Sequence, residues 1–425
     1  MRNSKGILVT LVLVALLIAI PSAAGCTPKG AAPPSAPTPE KPKGEIRIGD
    51  LTDLTGPLSV LYTASTQALE EYASYINEQG GINGHPVKII SVDTRYDVAA
   101  HISGYEKLRT VDKVHAIHID GSGGSAAIKP RADQDKMSVM VSPELTALLP
   151  STNSYTFAYA PNYIFRAQVV MPWIKSQWKG TTAPRIGLAM EDVVWVWTQR
   201  TALEALAKEY GWKIDPITVT PPGTVDLTSE VLKHMQAKED YLLIGGMLVA
   251  PFLKDPRMAP TPPMTTIYSP GNMSSAVMPA LFGEKIGQGI VAPEAFRLWH
   301  ETDAPSVKLA RELTAKYHPE VKYRGAEYWW AMSSINVLSE AIKRAIGKVG
   351  YDKLDGTAIK AALETFKDFD NKGITAPITY TSTDHLGPRA MRMIQYKAGN
   401  FEVISDWISP PVWPSEWWNV DYWKK

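Results

Sequence analysis

From Glu45 onward the spacing of apolar positions switches repeatedly between two periods. Ile46 and Ile48 alternate with polar neighbours before Asp50, which predicts a strand. Residues 66–79 place Leu69, Tyr72, Ala73 and Ile76 on one helical face, and Gly80-Gly81 supplies the stop. The same reading gives strands at 87–92, 114–119 and 138–141 and helices at 101–111 and 126–134. A second series follows, with strands at 185–190, 214–219 and 241–245 and helices at 198–210 and 227–237. Further helices are predicted at 304–317 and 325–346, and closing strands at 376–380 and 392–396. Repeated βαβ units with nearly continuous apolar strands imply parallel sheets covered by helices on both faces. Two such series predict an α/β chain of two Rossmann-like lobes, with ligands gathering at the carboxyl ends of the strands, in the cleft between the lobes.

The first 43 residues follow another pattern. A basic start with Arg2 and Lys5, the apolar run 7–20 and the small residues Ser22 to Gly25 have the order of a secretory signal, and the run is shorter than a bilayer-spanning helix needs. Residues 23–26 (AAGC) resemble a bacterial lipobox, which would make Cys26, the only cysteine, a lipidated first residue; ordinary cleavage without a lipid is the other reading. Residues 27–43 are dense in Pro, Ala and Lys and predict an extended spacer. The formal charge of +1 falls to −1 if residues 1–25 leave with Arg2 and Lys5, so no electrostatic argument points to nucleic acid.

Several stretches carry a family resemblance: residues 45–49 (EIRIG) with 54–57 (LTGP), 77–84 (NEQGGING), Asp93, 121–125, Ser142-Pro143, 326–330 (AEYWW) and 378–387 (ITYTSTDHLG). In this order the chain resembles the branched-chain amino acid type of periplasmic solute-binding protein, the leucine-binding-protein-like partner of ABC transporters. The resemblance implies the type I periplasmic binding protein fold, its two lobes joined by crossover strands. By that analogy lobe 1 is residues 44–162 with 296–373, lobe 2 is 163–295 with 374–410, and 411–425 form a Trp-rich tail. The tail has three readings: a membrane-interface element, a partner-binding element, or a segment folded over a lobe.

In such proteins the segment after the third strand meets the ligand's carboxylate, which points to Ser122, Gly123 and Ser125. Free N–H groups at a helix start suit any anion. The form G-x-G-x-x-A at 121–126 also matches a dinucleotide loop, but that fingerprint belongs to the first βα unit, not the third. Leu145 and Thr146 would continue the contact, Thr146 reading equally as a helix cap. From the other lobe the resemblance points to Trp195, Trp197, Met247, Leu248 and Asn272; Tyr62 after the Gly56-Pro57 loop, and Tyr159 and Tyr163 near the crossover, are candidate walls, and core packing is the other reading of these aromatic and Met side chains. Residues 269–272 (SPGN) fall where amino-acid binders carry an acid for the α-ammonium, and none is there. This suits a carboxylate with an apolar or aromatic body and no amine, unless Glu144 or Asp120 replaces that acid.

His115 and His118, three apart in a predicted strand, point to opposite faces and pre-form no metal site. Residue 127 is Ala where a nucleophile elbow around Ser125 needs Gly, and no P-loop or zinc quartet is present. The functional expectation is a non-enzymatic solute receptor, monomeric and without a cofactor, that closes on a small ligand and serves a membrane permease. A receptor feeding a signalling partner and an anchored α/β enzyme are the alternatives.

Overall fold

The computed structural model describes residues 44–141, 153–259, 261–269, 274–275, 278 and 285–410, and, within these, all side chains but those of Val194 and Trp195. Cys26, residues 142–152 and the tail 411–425 lie outside the described residues.

The first series becomes β1 (Ile46–Thr52), α1 (Ser59–Glu78), β2 (Val87–Asp93), α2 (Val98–Thr110), β3 (Ala116–Ile119), α3 (Ser122–Asp135), β4 (Val139–Val141) and β5 (Thr156–Ala158). Its five strands form one parallel sheet in the order β2-β1-β3-β4-β5. The second series starts with α4 (Tyr163–Gln177), β6 (Ile186–Glu191), α5 (Val194–Glu209), β7 (Ile214–Thr220) and α6 (Thr228–Ala237). It continues through β8 (Tyr241–Gly245), α7 (Val249–Lys254), β9 (Thr265–Tyr268) and β10 (Val291–Glu294). The chain then adds α8 (Pro305–Tyr317), α9 (Ala326–Val349), α10 (Gly356–Leu363), β11 (Arg392–Lys397) and β12 (Asn400–Val403).

The second sheet runs β12-β11-β10-β9-β8-β6-β7, so its parallel part β7-β6-β8-β9-β10 repeats the order of the first sheet, and β11 and β12 extend it antiparallel. The fold is therefore the predicted one, two Rossmann-like lobes with parallel-rich sheets. Strands β6 and β8 are buried along their whole length, as strands covered by helices on both faces must be. α1 and α9 pack together on the first sheet, with a hydrogen bond of 2.6 Å from the Tyr72 hydroxyl to Asn336 between them. Among the described residues no helix is long and apolar enough to cross a membrane.

The predicted strand at 376–380 is not one: only Ile378 bridges, to Phe369. Its alternation reflects packing of a loop against the first sheet. The Tyr380 hydroxyl donates to the Ala158 carbonyl at 2.8 Å, and His385 stacks on Phe157 at 3.7 Å. Residues up to His385, placed by analogy in lobe 2, thus contact β5 of the first sheet.

The passage from β10 to α8 is tied to β11 by Glu301, which receives both terminal nitrogens of Arg392 at 2.7 and 2.8 Å, Arg297 at 3.0 Å and the Leu298 N–H at 2.6 Å. Burial alone would raise the Glu301 carboxyl, but Arg392, the Leu298 N–H and Arg297 hold it at about 2. A carboxyl depressed on folding stabilises above its unfolded value, about 4.5, and loses that contribution as pH falls toward 2. Glu301→Gln is expected to cost about 3 kcal/mol at pH 7. The deficit should shrink steadily from pH 4.5 downward in denaturant titrations of the two proteins.

Candidate functional site

The parallel strands of each sheet deliver their carboxyl ends to one edge, and of the expected ligand residues Ser122, Gly123, Ser125 and Met247 follow such strand ends. On the first sheet, Asp53 after β1 accepts the Gly56 and Leu58 N–H groups at 2.5 and 2.8 Å. Asp93 at the end of β2 accepts the Leu54 N–H at 2.9 Å and the Thr55 hydroxyl at 2.5 Å. The two carboxylates fold residues 54–57 into a turn in which a Cβ on Gly56 would stand 2.7 Å from the Arg95 carbonyl oxygen, so the close approach requires glycine.

Residues 121–125, expected as a loop before the helix, belong to the helix from Ser122 on. Gly121, at φ +91, is the N-cap of α3, and Ser122, Gly123 and Ser125 form the first turn, which contains no acid. Ser125 Oγ donates to the Gly121 carbonyl at 2.8 Å, Ser122 is nearly buried, and Gly123 is exposed. The anion-binding capacity of this turn therefore lies in its backbone N–H groups rather than in Ser125 Oγ. Tyr96 covers the turn: a Cβ on Gly121 would lie 2.9 Å from its ring. Tyr96 stacks on Tyr62 at 6.2 Å, and Tyr62 meets Trp330 at 6.1 Å. Tyr62 is thus part of an aromatic wall beside the α3 turn, whose other members, Tyr96 and Trp330, the ligand residues expected from the sequence do not include.

On the second sheet, β6 and β10 each end in a buried carboxylate, Glu191 and Glu294. Glu191 accepts the Met247 N–H at 2.9 Å and the Gly223 N–H at 3.4 Å. Glu294 accepts Ser274 Oγ at 2.5 Å and the Ala295 and Phe296 N–H groups at 2.9 and 3.1 Å. Burial raises the Glu294 carboxyl despite these donors and nearby Arg166. An acid closing an apolar strand, as in IGLAME and VAPE, is the sequence signal that would have pointed to both.

The Trp197 indole N–H donates to Asp192 at 2.6 Å, and the Arg200 guanidinium lies 4.9 Å from its ring. Val193 is the N-cap of α5, so the helix expected from residue 198 begins at Val194. Met247 is half exposed, whereas Leu248, the N-cap of α7, is buried in the core cluster that contains Val249 and Phe252. Tyr163 is buried at the start of α4, 4.8 Å from the Arg166 guanidinium, and Tyr159 is buried against His118 at 5.2 Å. Leu145, Thr146, Glu144 and Asn272 lie outside the described residues, as does the side chain of Trp195. Between the lobes, the Tyr323 hydroxyl donates to the Ser274 carbonyl at 2.7 Å and Ser275 to Glu327.

Asp120, one of the two candidates to replace the missing acid, follows β3. It is buried, with one oxygen 3.1 Å from His118 Nε2 and the other receiving the Thr52 hydroxyl at 3.2 Å. Asp50, the register partner of His118 on β1, is equally buried, and burial pushes its carboxyl up to about 7.

Large apolar side chains are exposed on both edges: Val60, Tyr96 and Val98 on the first, and Val219, Val225 and Met247 on the second. Val111, Leu232, Val403 and Ile404 are exposed as well, so it is the position of the six beside strand ends, not their number, that bears on a site.

A model of the periplasmic binding protein family matches residues 45–400. Among curated proteins, none matches the chain. Among solved structures, a branched-chain amino acid ABC transporter protein from Thermus thermophilus with bound valine is 20% identical, covering 86% of this chain and 97% of that one, with a TM-score of 0.75. A fatty acid ABC transporter substrate-binding protein from Thermomonospora curvata is 21% identical over 86% and 92%, with a TM-score of 0.71. A branched-chain amino acid transporter substrate-binding protein from Streptococcus pneumoniae in complex with isoleucine is 18% identical over 86% and 100%, with a TM-score of 0.69.

Proposed function

Because the chain belongs to the periplasmic binding protein family, we propose that it is the extracytoplasmic solute-binding component of an ABC importer, capturing a small carboxylate by closure of its two lobes. The ligand carries an apolar or aromatic body and no amine. In this reading Cys26 holds the chain to a membrane through a lipid, residues 27–43 space the lobes from it, and a permease receives the closed form.

The observation that carries the ligand class is the acid-free first turn of α3, set beside the aromatic wall of Tyr62, Tyr96 and Trp330. Backbone donors at a helix start hold a carboxylate, and exposed apolar side chains on both edges suit an apolar body that both lobes cover. Valine, isoleucine and fatty acids, which the printed names attach to the similar structures, share a carboxylate on an apolar body. An ammonium is disfavoured because SPGN lacks an acid, and both Asp120 oxygens and Glu294 are already hydrogen-bonded within the protein. Closure needs contacts made only in the closed state, which Trp197 and Met247 on the second edge would supply.

Matched ligands separate these terms. Thermal unfolding of the chain from Gly44 is measured with leucine and 4-methylpentanoate, phenylalanine and 3-phenylpropanoate, and the amides of both acids. A ligand that binds only the folded state at 100 times its Kd adds about 2.7 kcal/mol. The amine-free acids should give the largest shifts. An amino acid outperforming its deaminated partner would overturn the ligand class, and amides equalling acids would overturn the anion site.

A further inference from the structure

Asp50, His118 and Asp120 form a cluster that ligand capture does not use. Asp50 and His118 are directly paired between β1 and β3, and Asp120 lies two residues on, so all three project from the same face of the first sheet toward α1 and α9. Each is at most 1% exposed, and each offers a ligand atom within 4.8 Å of the other two.

Each side chain is held from outside by hydroxyl groups. Asp50 Oδ2 accepts Thr66 Oγ1 at 2.9 Å and Ser91 Oγ at 3.0 Å, His118 Nδ1 pairs with Ser334 Oγ at 2.9 Å, and Asp120 Oδ2 accepts Thr52 Oγ1 at 3.2 Å. Asp50 Oδ1, fully buried, has no hydrogen-bond partner. Asp120 Oδ1 and His118 Nε2 face each other at 3.1 Å, with Ser65 Oγ 3.4 Å from the same nitrogen. Hydrogen bonds that fix each ligand from outside are what the outer shell of a metal centre supplies, here from hydroxyls.

The charge balance points the same way. Among the described residues no Lys or Arg pairs with Asp50 or Asp120, and His118 is the only cationic candidate beside them. Two ionised carboxylates would be costly here, and burial already raises Asp50, so either protons or a cation must balance the cluster. A divalent ion with a neutral imidazole balances both carboxylates.

We propose that Asp50, His118 and Asp120 bind one divalent transition-metal ion of the zinc class, with the Ser65 hydroxyl or a water as fourth ligand. One imidazole and two carboxylates form a donor set suited to such ions. A tetrahedral ion with bonds near 2.0–2.2 Å spaces its ligand atoms by roughly 3.3–3.6 Å, within reach of these side chains by small rotations. Because the cluster is buried, the ion enters as the chain folds and joins β1, β3, α1 and α9.

The test uses the full chain. Its metal content is measured by mass spectrometry as isolated and after unfolding and refolding with Zn2+, Mn2+ or a chelator, and the melting temperature of each form is recorded. Visible absorption after refolding with Co2+ reports nitrogen and oxygen ligation directly. The expected result is about one ion per chain, a melting temperature lowered by chelation, and cobalt bands lost in His118→Gln. Asp50→Asn keeps the shape and gives opposite signs for the two accounts. It lowers the melting temperature of the metal-loaded form if Asp50 is a ligand, and leaves it unchanged or raises it if the cluster holds only protons. A chain without stoichiometric metal after refolding in every ion, or an ion retained unchanged in both variants, overturns the proposal.

Discussion

Gly123→Asp is expected to weaken carboxylate binding by roughly 100-fold, about 3 kcal/mol, while leaving the melting temperature unchanged or slightly raised. Gly123 is exposed in the first turn of α3, and an added Cβ meets only Val98 Cγ2, at 3.3 Å. A carboxylate there satisfies the free N–H groups and the helix dipole, which favours folding. It also occupies the site where the ligand's own carboxylate is proposed to bind. Gly123→Asn matches the size without the charge and should lose less than about 10-fold. Equal losses in the two variants, measured by calorimetric titration, would show obstruction rather than competition between anions and would remove the α3 turn as the anion site.

The largest stability effect is expected at Arg324. Its guanidinium donates to Glu71 at 2.6 Å, to Thr314 at 3.1 Å and to Gln67, and lies 4.7 Å from the Tyr328 ring, whose hydroxyl also donates to Glu71 at 2.6 Å. The side chains of Arg324 and Glu71 are 2% and 1% exposed, so this pair is shielded from water. It joins α1 to the segment leading into α9. Arg324→Ala strands the Glu71 carboxylate in the interior and should cost about 3–5 kcal/mol in denaturant unfolding, with the midpoint falling and the slope unchanged. Adding Glu71→Gln should return part of that loss, because the stranded charge, not the missing attraction, is the larger cost. No recovery in the double variant would assign the loss to packing around the Arg324 stem.

The two βαβ series were legible because their strands are apolar on both faces and their helices amphipathic. Elements without those signatures were not. β5, β9 and β10 are three or four residues long, as are β3 and β4, but unlike those two, which flank the predicted helix at 126–134 in a βαβ unit, they adjoin no predicted amphipathic helix. α4 is buried on nearly all sides from Tyr163 to Ile174, so it has no polar face to set its phase. The glycines of residues 121–124 read as loop, yet all but Gly121 lie in the helix, where the N-terminal turn leaves the N–H groups open. The α3 turn came from the family resemblance, and Tyr62 from its place after the Gly56-Pro57 turn. Tyr96, brought over Gly121 by a chain reversal at Arg95 and Tyr96 with φ of +50 and +57, depends on backbone geometry that no pattern announces. Asp50, His118 and Asp120 were hidden for a related reason. The conspicuous spacing, His115 to His118, points to opposite faces of β3, while the chemistry needs the long-range register that sets Asp50 beside His118.

The central claim is that one ligand is held at the carboxyl edges of both sheets at once. Amide hydrogen exchange of the chain from Gly44, with and without the acid that gives the largest thermal shift, tests it most directly. The account predicts slowed exchange in residues 121–125 on the first lobe, together with residues 245–248 on the second, where the Met247 N–H is bonded to Glu191. Protection confined to one of these edges, or found at neither, would contradict capture between the lobes.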